Sequence, residues 1–600
     1  MLSTFVGCFI LPSLAAQVPL GLSSDGKALL ELGTASTIIS SYNPASPLDS
    51  DSLDLSPWQL NEPPLANATG HFVFETVNSL LQHWPNTRYR NGHTIVPGII
   101  PKGTLLYHGA VSDKIPTVPE WTATDPEHSI LFCQGAPDTG CWHLTLAATR
   151  PLKVLYFDGT SAANTINGTL DTQDIIAWGE MRPDWRFKED QRILDLCEWG
   201  APYAVDGYVR MEMDFEVMLC DFSAGLEVVS WSHLASIVEP ASIVPRIPNP
   251  FMNRMFEVMH SGSWHNRYPG DTRIDLDLAG IVSLYDTTLA PSLVGSRDGQ
   301  ERCDHGIGTI SSADIEVVRH SVSQALERHR GDLSGIDWKT IFRVIVERYS
   351  ERLDLMDYLL NSKNDTHMDR AMKVHAQLRV MLTPYIFYNV VPPSASYNSS
   401  HSWATPVFKA CGTAHTSPIV SYISSLNPSE RLLLNAAQET TREICRVITK
   451  MWVTGVLADL DLYLPRDSTP DAAQIVRVID TWRHELSALM AWLDWSVWVR
   501  CRPACGPEEM CYLPSWPINV PRHGRPGRPP YPGRPPYKGR PPYEGHPPYN
   551  KYEISDITNA SFPDSPSLKH ELLVQLSTPQ DDDWRKPQPK CIRRVAPYGF

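Results

Sequence analysis

Residues 103–110 read GTLLYHGA, an apolar run that ends on His108 and then on Gly109, which has no side chain. Its length and composition fit a strand. A strand that stops this way suits a site where an imidazole hydrogen-bonds a sugar hydroxyl and the glycine backbone lies against a flat ligand. Short apolar runs broken by Gly, Pro and Asp continue on both sides: HTIVPGII (93–100), CWHLTLAATRPLKVLYFDG (141–159), DGYVRMEMDFEVMLCDF (206–222) and AGLEVVSW (224–231). KEDQRILDLCEWG (188–200) has helical spacing instead. Residues 71–290 are therefore expected to form a mixed α+β unit, preceded over 17–70 by a loosely ordered Ser/Pro-rich arm.

Beyond residue 310 the apolar period lengthens. SADIEVVRHSVSQALERH (312–329) puts Ile315, Val318, Val322 and Leu326 on one face, with Ser312 expected as the N-cap. The stretches 337–360, 366–382, 428–460 and 472–499 follow the same rule, so residues 310–515 are expected to be an all-α helical domain. Trp482, Trp492, Trp495 and Trp498 recur within the last of these, which reads as core packing and not as a carbohydrate platform. From Arg528 the chain repeats RPPYPG, RPPYKG, RPPYEG and HPPYN, bringing round Tyr531, Tyr537, Tyr543 and Tyr549. Residues 516–600 are expected to be a disordered Pro/Tyr-rich tail. It would act as an exposed spacer or as a contact arm for wall polymer or a partner protein.

The bounds agree with an exported globular protein. The 600 residues are 42% hydrophobic, enough for more than one core, and the net charge of −15 argues against nucleic acid as partner. The apolar stretch Phe5–Leu14 followed by Ala15-Ala16 has the layout of a signal peptide over 1–16, and no later run is long enough for a membrane span. Asn-x-Ser/Thr sequons stand at Asn67, Asn167, Asn364, Asn398 and Asn559, as on a secreted glycoprotein. Eleven cysteines remain after Cys8, an odd number that leaves one thiol free, buried or paired between chains. Cys133 and Cys141 fit a local bridge, and CRPACGPEEMC (501–511) fits a disulfide knot better than a metal site. No metal is expected.

GTLLYHGA also resembles the His-Gly strand of the poly-ADP-ribose polymerase branch of the ADP-ribosyltransferase superfamily. EWTATDPEHSILFC (120–133) resembles that family's next conserved segment. The resemblance implies an ADP-ribosyltransferase-like split sheet that binds NAD. His108 would grip a ribose and Gly109 would offer its backbone to the nicotinamide amide. Trp121 and Phe132 would stand at the family's aromatic positions, and Ser129 at its carboxamide contact. Glu212 or Glu216 would supply the carboxylate. In overall character the chain resembles uncharacterised fungal secreted proteins.

A second reading starts from RMEMDFEVMLCDF (210–222), whose strict alternation puts Arg210, Glu212, Asp214 and Glu216 on one face of a strand. Crowded carboxylates repel, so one is kept protonated while its neighbour stays charged, as glycosidic hydrolysis requires. Glu212-x-Asp214-x-Glu216 resembles the catalytic strand of glycoside hydrolase family 16, which implies a polysaccharide hydrolase. In an extended strand the two glutamate Cα atoms would stand about 13 Å apart, against carboxyl groups about 5 to 5.5 Å apart for retaining chemistry. A non-enzymatic wall or matrix protein is the third class. GxSxG, HExxH, Walker and GxGxxG motifs are absent.

Overall fold

The computed structural model describes residues 58–133, 140–161, 168–235, 250–267, 270–328, 334–388, 390, 401–463, 471–514, 585–596 and 598. The expected signal peptide, most of the arm, the Pro/Tyr hexads and the sequons at Asn167, Asn398 and Asn559 lie outside the described residues.

Two early helices, α1 (Gly70–Ser79) and α2 (His83–Arg88), lead into the strands β1 (Thr94–Ile100), β2 (Leu105–Ala110) and β3 (Glu120–Ala123). The short helix α3 (Pro126–Ile130) precedes β4 (Cys141–Ala148) and β5 (Leu152–Phe157). Helices α4 (Asp171–Trp178) and α5 (Glu189–Gly200) then cross to β6 (Gly207–Met211), β7 (Phe215–Leu219) and β8 (Leu226–Leu234). The two-residue strands β9 (Asp275–Leu276) and β10 (Val282–Ser283) complete a sheet of order β10-β1-β5-β6-β7-β3-β2-β4-β8, with β9 also on β1. Neighbours are antiparallel except β5 and β6, which are parallel because α4 and α5 carry the chain back across one face. The expectation of an amino-terminal mixed α and β region followed by helices therefore holds.

Both faces of the central strands are covered, while the edge strand β8 is largely exposed. Alternate residues Val96, Val209, Phe215 and Val217 join one apolar cluster with helices α7 (Trp338–Asn361), α8 (His367–Leu382), α9 (Pro428–Leu457) and α10 (Ala472–Leu493), whose Phe342, Leu378, Trp452 and Trp482 belong to it. Sheet and helices thus share one core. Helix α1 sits in the same layer, its Phe74 stacked on Phe342 at 4.7 Å and on Trp495 at 5.8 Å. Trp482 and Trp495 are buried, as their helical spacing predicts.

On the opposite face Ile95, Leu155, Tyr208 and Met218 pack with Ile175 of α4, Ile193 and Leu196 of α5, and Ile315, Val318, Val322 and Leu326 of helix α6 (Ser312–Glu327). The expected stripe of that helix is its buried stripe, and each such side chain contributes about 1.5–3 kcal/mol on burial. Its cap is Ser311, whose side chain accepts from the Asp314 backbone N–H at 3.1 Å, one residue earlier than expected.

Among the described residues five disulfides are present: Cys133–Cys141, Cys197–Cys220, Cys411–Cys445, Cys501–Cys511 and Cys505–Cys591. The cysteine left over is Cys303, which is buried. The region expected as a tail over 516–600 is anchored near its end, because β12 (Lys590–Arg593) pairs antiparallel with β11 (Glu509–Tyr512) and Cys591 is bonded to Cys505. Lys538, Lys551 and Lys569 lie between these anchors and are not followed by proline. Tryptic cleavage there should leave both pieces in one band on a denaturing gel without reductant, and separate them when reductant is added. A carboxy-terminal fragment released without reduction would contradict the Cys505–Cys591 bond.

Candidate functional site

The segment 210–222 is not one strand. Beta strands β6 and β7 form a hairpin closed by Glu212, Met213 and Asp214, with the Glu212 N–H donating to the Asp214 carbonyl at 2.8 Å. Asp214 holds the turn through its own side chain, which accepts from the Phe215 N–H at 2.8 Å and meets His83 Nε2 at 2.6 Å. Asp214 is thereby removed from the expected row of carboxylates. The fold-back brings Glu212 beside Glu216 instead of a strand's length away, and pairs Arg210 directly opposite Glu216.

Register carries this row across the sheet. Glu216 of β7 stands opposite Ala123 of β3, and Ala123 stands opposite Tyr107 of β2. Residues opposite one another share a face. The short helix α3 lies over that face and places His128 above the hairpin: its Nε2 is 3.2 Å from Glu216 Oε1 and 3.6 Å from Glu212 Oε2. Arg210 Nε donates to the other Glu216 oxygen at 3.1 Å, and its Nη1 donates to Glu189 Oε2 of α5 at 2.7 Å. Glu189 also pairs with Arg192, which binds Asp174 of α4 at 2.9 Å. All seven of these ionisable side chains are buried.

The protonation states follow from burial and charge. Burial, reinforced by the negative charge of Glu216, pushes Glu212 up to about 8. Burial would also raise Glu216, but the His128 hydrogen bond and the Arg210 charge win and hold it well below the usual carboxylate range. Burial acts to lower His128, yet hydrogen bonds and charge from both glutamates outweigh it and raise the imidazole to about 10. With Glu212 protonated, the anions Asp174, Glu189 and Glu216 balance the cations Arg192, Arg210 and His128. One carboxylic acid and one carboxylate therefore stand side by side at neutral pH. One ligand atom each from His128, Glu212 and Glu216 also lie within 4.8 Å of one another, a donor set that could hold a divalent cation in competition with Arg210.

The residues expected from sequence separate into two groups. Trp121 and Phe132 border this cluster: the Arg210 guanidinium lies 5.9 Å from the Trp121 ring, and the Phe132 ring meets His128 edge-on at 5.2 Å. Phe132 is 40% exposed, so it forms the solvent side of the cluster. His108 is placed elsewhere. It pairs with Leu144, on the face opposite Tyr107 and Glu216, where its Nδ1 meets the Trp121 carbonyl at 2.7 Å and its ring packs edge-on to Phe222 at 5.6 Å. Burial lowers its pKa, and none of the groups acting on it is a carboxylate. The expected single site of His108 with Glu212 and Glu216 is therefore corrected.

Gly109 and Ser129 meet each other. A Cβ on Gly109 would lie 2.1 Å from the Ser129 carbonyl oxygen and 2.9 Å from Cys133 Cβ, so the missing side chain admits the end of α3 onto the sheet. The Ser129 hydroxyl donates to the Pro126 carbonyl at 2.9 Å and lies 2.6 Å from His143 Nε2. The imidazole that meets the Phe132 ring and both acids is His128, which sequence reading passed over although it stands one residue before Ser129. Glu189, Arg192 and Asp174 were also missed. The helical spacing of 188–200 does place Glu189 and Arg192 one turn apart, which was the available signal.

A family model described as the YPL277C N-terminal domain matches residues 60–142 and 138–251, a span that includes His128, Arg210, Glu212 and Glu216. The chain is 25% identical over 532 residues to "Uncharacterized protein YOR389W" of Saccharomyces cerevisiae (strain ATCC 204508 / S288c), covering 74% of this chain and 81% of that protein. It is 25% identical over 392 residues to "Uncharacterized protein YPL277C" of the same strain, covering 51% of this chain and 78% of that protein. No solved structure matches.

Proposed function

We propose that the hairpin centre cleaves glycosyl bonds of an extracellular polysaccharide, with Glu212 as proton donor and Glu216 as the anion that faces the developing oxocarbenium ion. The observation that carries this reading is the pairing of a protonated and an ionised glutamate under His128. Their oxygens lie within 4.8 Å of one another and the two carboxyl groups share a hydrogen bond, which sets the pair apart from the separation of about 6.5–9.5 Å of inverting enzymes. His128 and Arg210 position Glu216 and keep it charged, and Phe132 marks the side from which substrate enters. Five disulfides and the signal-like first residues support an exported protein acting on wall material. The described residues contain no helix long and apolar enough to cross a membrane.

NAD is the second reading, favoured by Trp121 and Phe132 beside the same acids. Its nicotinamide–ribose bond also breaks through an oxocarbenium-like transition state that a carboxylate stabilises. The full chain should be assayed for release of reducing ends from β-glucan and mannan, and in parallel for nicotinamide release from NAD. Activity on either glycan should fall about 10²–10⁴-fold in Glu212→Gln and Glu216→Gln. NAD turnover with the same losses would select the second reading. Activity that survives both substitutions, or no turnover of any of the three substrates, would remove the catalytic reading and leave the matrix role.

A further inference from the structure

The segment that joins α4 to α5 carries an aromatic surface beside the hairpin centre. It contains the single turn Pro183–Trp185 and leaves Trp185 39% and Phe187 37% exposed. One exposed ring would mean little, but two within three residues make a patch. Trp178, at the end of α4, meets the Trp185 ring edge-on at 5.4 Å, and the Arg182 guanidinium lies 4.8 Å from the centre of each. The Trp178 indole N–H donates to Asp195 at 2.6 Å, and the Arg182 backbone N–H donates to Asp174 at 3.0 Å. Arg186 lies 4.7 Å from the Phe187 ring centre. The rings are thus fixed before any ligand arrives, and binding to them costs little in ordering.

The patch is continuous with the centre. The Trp185 carbonyl accepts from Arg192 Nη2 at 3.3 Å, and Arg192 leads through Glu189 and Arg210 to Glu216. The centre is held between α5, which supplies Glu189, and α3, which supplies His128. Phe132 is exposed on the α3 side, and Trp185 and Phe187 are exposed on the α5 side. A pyranose has apolar C–H faces and a rim of hydroxyls. Its faces suit flat rings, and its rim suits charged side chains such as Glu180, Arg182 and Asp184, which stand between the rings in the chain. A protein partner would instead need about 800 Å² on each side around an apolar centre, and here charged residues interrupt the rings. The surface therefore fits a sugar chain better.

We infer that Trp185 and Phe187 form a platform that holds a glycan chain beside the hairpin centre, a choice of ligand that rests on the glycosidase reading of that centre. Native electrophoresis of the full chain through gels containing soluble β-glucan or mannan tests it, because retardation reports binding without any turnover. Wild type should be slowed by at least one of the two. Trp185→Ala and Phe187→Ala should each weaken the apparent affinity about tenfold, and Trp185→Tyr, which keeps a flat ring, should recover most of it. Trp185→Ala leaves the backbone carbonyl that Arg192 uses. A thermal melt identifies a variant that fails to fold, in which case Phe187→Ala decides. On a glycan that is cleaved, both alanine variants should raise KM about tenfold and lower kcat far less. Retardation that is lost in the variants, with no turnover by wild type, would uphold the platform and remove the catalytic reading. Turnover with one KM in wild type and both variants would remove the platform and leave the catalytic reading. Wild type slowed by neither glycan, or slowed no more than the two alanine variants, would overturn the inference.

Discussion

Glu216→Ala should destabilise the protein by about 3–5 kcal/mol at neutral pH, the usual penalty when one member of a buried ion pair is removed. The loss is large because Glu216 serves two cations. Its oxygens take the Arg210 Nε at 3.1 Å and His128 Nε2 at 3.2 Å, and all three side chains are at most 3% exposed. Without it His128 retains only the longer contact to Glu212 at 3.6 Å, and Arg210 retains only its link to Glu189 and a long contact to Gln173. Urea denaturation measures the change. Glu316→Gln is the control, since Glu316 is 71% exposed and lies 3.7 Å from Arg319. It should alter stability by less than about 1 kcal/mol. Equal effects at the two positions would mean that the hairpin charges are solvated.

Stability should also fall as the medium becomes alkaline, and Glu212 should account for much of the fall. Glu212 has a folded pKa raised from 4.5 to about 8, so its contribution is fully present below pH 4.5 and is lost as pH rises toward 8. His128, raised from 6.5 to about 10, acts in the same direction over the higher window. Glu216 acts in the opposite sense: its folded pKa is lowered, so its contribution is present above 4.5 and is lost as pH falls below that value. Between pH 5 and 8 the ionisation of Glu212 alone changes stability by about 1.4 kcal/mol per pH unit. Glu212→Gln keeps the shape of the protonated acid and cannot ionise. Thermal melts at pH 5, 6.5 and 8 should therefore show the variant gaining on wild type with each step. A constant difference across the three would mean that Glu212 is ionised throughout.

Legibility in the sequence depended on how local the cause was. The helices from 312 onward bury the faces that their spacing marks, since a 3.6-residue period is a property of the segment itself. Helix α1 starts at Gly70, where the expected arm ends, and was not foreseen because its burial comes from Phe342 and Trp495, several hundred residues later. The hairpin was read as one strand because Met211 to Phe215 alternates perfectly and contains no Gly, Pro or Asn. Only Asp214 signals a turn there. His128 gained its meaning from register, since nothing in EWTATDPEHSILFC shows that Ala123 will pair with Glu216. The local disulfide Cys133–Cys141 was legible from spacing, whereas Cys505–Cys591 closes over 86 residues and was not.

Carbon-13 NMR of the glutamate carboxyl groups, assigned with Glu212→Gln and Glu216→Gln and followed from pH 3 to pH 9, observes the two protonation states themselves. One resonance should stay in the acid form through neutrality and titrate near 8, while the other stays ionised to the lowest pH at which the protein remains folded. Two ordinary titrations near about 4.3 would show that the hairpin holds two equivalent carboxylates and has no acid to donate.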